Sequence, residues 1–182
     1  MENIMKKIVV IGGGTMGLDI AQVFAKKGYD VVVRDINDQI IQASEARLNK
    51  SLDKLVAKGK LDEAGKAAIT GKMTFTTDLN LAADADLVVE AIFENLEAKQ
   101  AVFRQLEEIC PDHTIFASNT SSISLTALAA ATKRPSRVVG MHFFSPVPKM
   151  KLCEVIFGLL TEQEVLDDIK EVGERLGKTM IL

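Results

Sequence analysis

The sequence predicts an α/β protein, a doubly wound and mostly parallel sheet with helices on both faces. Three observations carry this expectation. Apolar runs of strand length alternate with longer stretches of helical periodicity, the pattern of parallel strands joined by crossover helices. The first strand-like run breaks into Gly12, Gly13 and Gly14 immediately before a helix. No internal repeat, low-complexity tract or Pro/Ser-rich linker divides the 182 residues, so residues 1–182 read as one domain with a well-covered core.

The elements follow in order. Lys7–Ile11 is the first strand and Thr15–Lys27 the first helix, with Gly28 placed to end it. Asp30–Arg34 (DVVVR) is the second strand, and Asn37–Lys58 a long, highly charged helix. A shorter helix over Asp62–Ile69 leads to strand Met73–Thr76, and DADLVVEAI supplies a strongly apolar strand over Leu87–Ile92. Helix Leu96–Ile109 stops before Pro111, and strand Thr114–Ala117 follows. The polar turn SNTSS introduces helix Leu125–Ala131, and RVVGMHFF gives strand Arg137–Phe143. After two prolines come strand Leu152–Phe157 and a last helix from Thr161 to about Leu176. Thr161 and Glu164 have the spacing of a capping box at its start. The closing GKTMIL reads as a strand just beginning, and an apolar end of this kind suggests a domain cut short.

With 47% apolar residues, 26% charged residues and a net charge of −3, the chain has the balance of a soluble globular protein. Nothing in it attracts nucleic acid or an anionic membrane. Cys110 and Cys153 match no metal-ligand spacing, so reduced thiols and no metal are expected. The N-terminal apolar run stops at Gly12, and no stretch approaches the ~20 apolar residues of a membrane span; a cytoplasmic location is expected.

Gly12, Gly14 and Gly17 fit G-x-G-x-x-G, and Asp35 ends the next strand eighteen residues after Gly17. In this strand–turn–helix context the spacing predicts a Rossmann-type dinucleotide site. Gly12 allows the tight turn, Gly14 lets the backbone approach a pyrophosphate, and Gly17 lets helix and strand pack closely. The helix N-terminus, where Thr15 and Met16 begin the first turn, offers unpaired N–H groups and partial positive charge. Asp35 can accept hydrogen bonds from a ribose diol and repels a 2′-phosphate, which favours NAD. Arg34 beside it is what such a phosphate would want, so NADP stays open as the less favoured cofactor. Asp19, read as lying in the first turn of the helix, suits the helix dipole but would repel a pyrophosphate if it faced the loop.

A bound dinucleotide implies redox chemistry, and oxidising an alcohol needs a base for the hydroxyl proton. His113, beside Pro111 and Asp112, reads as surface. His142 sits near the end of an apolar strand, where a parallel sheet delivers residues to the ligand crevice. A lone histidine there is otherwise a satisfied core side chain. Glu154, a carboxylate inside the apolar KLCEVIF, either pairs with such a base or points to solvent from an edge strand. SNTSS brings Ser118, Asn119, Thr120, Ser121 and Ser122 to the same edge, with at least one needed to cap the next helix.

Taken together, VVIGGGTMG, VVEAIFENLEAK, IFASNTSSIS and VGMHFFSPVPKMKLCEVI resemble the 3-hydroxyacyl-CoA dehydrogenases, most closely the bacterial 3-hydroxybutyryl-CoA enzymes, in order and over essentially the whole chain. The resemblance implies NAD-dependent interconversion of 3-hydroxybutyryl-CoA and acetoacetyl-CoA. By the same resemblance His142 is the base, Glu154 its orienting partner and Ser121 the serine on the substrate oxygen. It also places Glu94 and Lys99 near the nicotinamide ribose, and Ser51 and Lys58 against coenzyme A. Read without it, Ser51 and Lys58 are solvated helix surface. Ser145 stands at a substrate-site position where many relatives carry asparagine, and Leu18 and Asp19 stand where they carry small residues.

Family chains continue into a mostly helical domain of ordinary small-domain size that dimerises and closes over the substrate. The expectation is therefore the NAD-binding domain alone, with that partner domain absent. The alternative is a truncated dinucleotide-binding domain with little or no turnover.

Overall fold

The computed structural model describes residues 5–182. Its elements are β1 (Lys7–Ile11), α1 (Thr15–Lys26), β2 (Asp30–Arg34), α2 (Asp38–Ala57), α3 (Glu63–Thr70), β3 (Met73–Thr76), β4 (Leu87–Glu90) and α4 (Leu96–Ile109). They continue as β5 (Ile115–Ser118), α5 (Leu125–Ala129), β6 (Val138–Phe143), β7 (Leu152–Phe157), α6 (Gln163–Arg175) and β8 (Thr179–Ile181). The strands form one sheet in the order β3-β2-β1-β4-β5-β6-β7-β8. Every pairing from β3 to β6 is parallel, β7 runs antiparallel to β6, and β8 runs parallel to β7. Strand order reverses between β1 and β4, the switch point at which sheets of this type bind ligands beyond the strands' carboxyl ends.

The central strands read as unbroken apolar runs because both sheet faces are covered. Ile8, Val10, Val31, Val33, Leu87 and Val89 face one core, built with Phe24 of α1, Leu48 and Leu52 of α2 and Ile169 of α6. Val9, Ile11, Val32, Val88 and Phe116 face the other, built with Phe103 and Leu106 of α4 and Leu128 of α5. The helices start at side-chain caps: Asn37, Asp62, Asn95 and Ser124 accept backbone N–H groups from α2, α3, α4 and α5 in turn. Gly28 ends α1 as expected, at a φ of +92°.

Several expectations need correcting. The last helix starts at Gln163 rather than Thr161, and Glu162 at its N-cap makes no side-chain cap. The Thr161 hydroxyl instead accepts from Gly158 N–H and donates to the Val138 carbonyl, tying the β7–α6 turn to β6. Asp19 is the fifth residue of α1, and its first turn carries no acid. The closing GKTMIL contains a formed strand, β8, which pairs with β7 and so removes the edge position considered for Glu154. The fourth strand ends at Glu90, two residues short of expectation, and 3-10 turns at Leu79–Ala82 and Pro135–Arg137 were not foreseen. Among the described residues no helix is long and apolar enough to cross a membrane, and no group of His, Cys, Asp and Glu could hold a metal ion.

Candidate active and cofactor site

The β1–α1 turn is built for close packing on one side and open space on the other. Gly12 has a φ of +115°, and a Cβ there would lie 2.6 Å from the Ala91 carbonyl oxygen. A Cβ on Gly17 would run into the carbonyl oxygen of Gly12, so α1 packs against the turn only because that hydrogen is small. At Gly14 a Cβ would meet nothing within 4 Å. The side chain is absent there although the protein leaves room for it, as expected where a ligand must approach the backbone.

Gly13, between them, is held by both of its backbone groups. Its N–H donates to Asp35 Oδ2 at 2.7 Å, and its carbonyl accepts from Arg47 Nη2 at 2.8 Å. Asp35 Oδ1 accepts the Ile36 N–H at 2.7 Å, which leaves further lone pairs on each oxygen for a diol. Arg34 turns its Nε to the Thr77 carbonyl at 3.2 Å. A cavity of about 410 Å³ opens beside this turn, lined by Gly12, Gly14, Asp35, Ile36, Ile92 and Phe93 among others. Its apolar walls, the acid at one end and the exposed N-terminus of α1 fit an adenine nucleotide with its ribose and pyrophosphate.

Asp19 lines the space between α1 and α2 together with Arg47. Partial burial pushes its carboxyl up from the ordinary value, and the nearby Arg47 guanidinium pulls it down by less. Arg47 also donates to Thr15 Oγ1 at 2.9 Å. A second cavity, about 280 Å³, lies between α1 and α2 and is lined by Thr15, Asp19, Arg47, Lys50, Ser51 and Lys54 among others. Lys58, the residue after α2, is exposed. Met16 is half-buried and packs on the core beneath the turn.

At the end of β4 the sheet buries an ion pair. Glu90 and Lys99 are 0% and 1% exposed, and Lys99 Nζ lies 2.6 Å from Glu90 Oε2. Glu90 also accepts from Ile92 N–H at 2.7 Å and from Ser118 Oγ at 2.6 Å. The remaining reach of the ammonium goes to the Ile92 carbonyl at 3.1 Å and to Glu94 Oε1 at 3.2 Å. Glu94 Oε2 accepts from Thr120 Oγ1 at 2.7 Å and Ser122 Oγ at 3.0 Å. Desolvation pushes the Glu94 carboxyl up, but the hydroxyls and Lys99 together hold it below its ordinary value.

His142 and Glu154 are directly paired residues of β6 and β7. Nδ1 lies 3.6 Å from Glu154 Oε2, an ion-pair separation longer than a hydrogen bond, with the side chains 19% and 44% exposed. The Phe144 ring stands edge-on to the imidazole, centroids 4.8 Å apart. The Asn119 side chain accepts from Phe143 N–H at 2.8 Å and so ties the end of β5 to the end of β6. Ser121 is exposed between Thr120 and Ser122, and Ser145 is exposed just past β6. His113, predicted to be surface, is exposed and lies 2.9 Å from Asp86.

Gly12, Gly14, Asp35, Ser121, His142 and Glu154 therefore all lie at the carboxyl-end edge of the parallel strands. Ser51 and Lys58 lie apart, on the outer helix. Reading the sequence passed over Glu90 and Arg47. Glu90 carried the signal already used for Glu154, a carboxylate in an apolar strand. Arg47 carried none, since its role depends on how α2 crosses α1.

Comparison with known proteins agrees with this geometry. The family model "3-hydroxyacyl-CoA dehydrogenase, NAD binding domain" matches residues 7–182. A probable 3-hydroxybutyryl-CoA dehydrogenase from Bacillus subtilis is 45% identical over 97% of this chain and 62% of its own length. The 3-hydroxybutyryl-CoA dehydrogenase of Clostridioides difficile is 45% identical over 96% of this chain and 62% of its own. The crystal structure of (S)-3-hydroxybutyryl-CoA dehydrogenase from Ralstonia eutropha superposes with a TM-score of 0.94 at 41% identity, covering 98% of this chain and 63% of that one. This chain thus spans about 62% of the length of these two curated relatives. With that family model matching residues 7–182, the chain belongs to the 3-hydroxyacyl-CoA dehydrogenases as their NAD-binding domain.

Proposed function

We propose that this domain serves the NAD-dependent interconversion of 3-hydroxyacyl-CoA and 3-oxoacyl-CoA, with 3-hydroxybutyryl-CoA and acetoacetyl-CoA as the substrate pair. The observation that carries the reading is His142 facing Glu154 across β6 and β7, at the sheet edge where the glycine turn opens. When bound, the nicotinamide supplies the hydride acceptor or donor. The chain's own residues handle the proton and the substrate. Nδ1 of His142 is turned toward the carboxylate, which leaves Nε2 free to take the 3-hydroxyl proton. Glu154 fixes that tautomer and stabilises the imidazolium that forms, and the pair needs to close to about 3 Å as substrate binds.

Ser121, exposed on the turn after β5, hydrogen-bonds the substrate oxygen. Glu94, with Lys99 behind it, lies on the nicotinamide-ribose side. Ser51, Lys58 and the cationic α1–α2 cavity receive parts of coenzyme A, and Ser145 lies at the substrate end of β6.

The test is NADH-dependent loss of acetoacetyl-CoA absorbance. Wild type should turn over and His142→Ala should abolish it, with NADH binding retained. If both are inactive while NADH still binds, the domain holds a dinucleotide with little or no turnover and the catalytic reading is wrong.

A further inference from the structure

Glu90 has no contact with solvent, yet it forms hydrogen bonds or ion pairs with three separate segments at the carboxyl-end edge of the sheet. One oxygen takes Lys99 from α4 and the Ile92 N–H from the β4–α4 turn, and the other takes Ser118 from the end of β5. Ser118 Oγ in turn accepts the Thr120 N–H at 3.2 Å. From Lys99 the chain of contacts runs to Glu94, and from Glu94 to the hydroxyls of Thr120 and Ser122. Ser121 is the residue between those two hydroxyls, so its turn is held from below by Ser118 and from the side by Glu94.

Stability alone gives little reason for this arrangement. Desolvating two charges costs several kcal/mol per ion, and well-packed apolar residues of the same volume are generally as stable. What an apolar pair could not do is aim the Lys99 ammonium at Glu94 or give the Ser118 hydroxyl an acceptor. We infer that Glu90, acting with Lys99, is a positioning residue: the buried pair sets Glu94 and Ser118, and through them the place of Ser121. This rests on the reading of Ser121 as the serine that meets the substrate. Glu90 touches neither substrate nor cofactor and acts only through its neighbours.

The test uses the double variant Glu90→Gln/Lys99→Met, which removes both charges at near-constant volume, and amide hydrogen exchange of the full chain. The Thr120 amide and the Ile123 amide, which donates to Thr120 Oγ1 at 3.0 Å, should exchange at least tenfold faster. Core amides such as Val10 and Val89 should keep their wild-type rates. Acetoacetyl-CoA affinity, measured with NAD bound, should fall about tenfold at an unfolding midpoint within about 3 °C of wild type.

Unchanged exchange at Thr120 and Ile123, or equal acceleration at every amide, overturns the inference. Should the double variant not fold, Glu90→Gln alone gives the same exchange reading, because its amide cannot accept from all three donors. If wild type itself fails to bind acetoacetyl-CoA while the local exchange effect appears, the anchoring stands and the substrate class proposed for Ser121 falls.

Discussion

Alanine at Gly14 and alanine at Gly12 should have opposite consequences. Gly14 has φ −70° and ψ −176°, a conformation any residue adopts, and a Cβ there would touch nothing within 4 Å. Gly14→Ala removes unfolded-chain entropy worth about 0.4–1 kcal/mol. It also gives up a similar amount, because alanine is a poorer N-cap than glycine. The net should be near zero, an unfolding midpoint within about 2 °C of wild type. On the proposed cofactor placement, the new methyl group fills the space through which a pyrophosphate would reach the N–H groups of α1. Losing one or two charge-assisted hydrogen bonds at about 1.5–3 kcal/mol each should weaken NADH at least tenfold.

Gly12→Ala is the reverse case. Its Cβ would sit 2.6 Å from a backbone carbonyl at a φ of +115°, and neither can move cheaply. A cost of about 3 kcal/mol or more should lower the midpoint by at least roughly 6 °C. NADH fluorescence titration and thermal unfolding on the same samples decide the matter. A Gly14→Ala protein that binds NADH like wild type would refute the assignment of the open space to the cofactor. A Gly12→Ala protein as stable as wild type would refute the packing argument.

Three further outcomes are expected. Glu154→Gln removes a charge 3.6 Å from His142 Nδ1, and at the partial exposure of that pair the lost stabilisation of the imidazolium is about 1–3 kcal/mol; kcat should fall about ten- to hundredfold with KM little changed, and an unaltered kcat would remove Glu154 from the chemistry. Asp86 is pushed up by partial burial, but N–H groups of Lys7 and Lys6 and the His113 ring outweigh this and hold its carboxyl below 3.8. Its stabilisation is therefore full above about pH 5 and lost as pH falls through the depressed value, so Asp86→Asn should cost about 1 kcal/mol in urea unfolding at pH 7 and progressively less as the solution is acidified; a cost that does not shrink on acidification would refute this. Burial pushes the Cys110 thiol up to about 11 and Cys153 up to about 12, so a disulfide reagent at pH 8 should leave both unreacted until denaturant is added; rapid labelling of the native chain would contradict that.

How much of this was legible beforehand depended on whether a residue's role is local. The glycine turn and Asp35 are separated by one strand and one helix whose geometry hardly varies, so spacing within that strand–turn–helix context predicts that they meet, as Gly13 N–H and Asp35 Oδ2 do. His142 and Glu154 needed more, since their pairing depends on β7 running back along β6, and two prolines between them gave no register. The alternative of an edge position for Glu154 failed because three residues at the far end of the chain, Thr179–Ile181, pair with β7, although the side chain keeps 44% of its surface open to solvent. The capping box at Thr161 failed for a related reason. Its hydroxyl has a better fixed acceptor in the Val138 carbonyl, which belongs to a strand twenty-three residues earlier. Glu90 was visible as an acid in an apolar run, but its partners come from three elements, and only the folded sheet brings them together.

The relation of Asp19 to Arg47 changes what the glycine turn requires. An acid so near a phosphate site would oppose binding if its charge acted on the pyrophosphate. It lies instead on the α2 side of the α1 helix, beside a guanidinium. That same guanidinium takes the Gly13 carbonyl, while Asp35 takes the Gly13 N–H from the other side. The peptide groups flanking Gly13 therefore cannot rotate without breaking a charge-assisted bond, and the turn is already arranged before any cofactor arrives. Preorganisation of this kind lowers the ordering cost of binding. A turn of three consecutive glycines would otherwise carry the largest such cost in the chain. Arg47 thus does two things with one charge: it offsets Asp19 locally and removes freedom from the turn. The three glycines can be permissive in conformation because their neighbours on β2 and α2 are not.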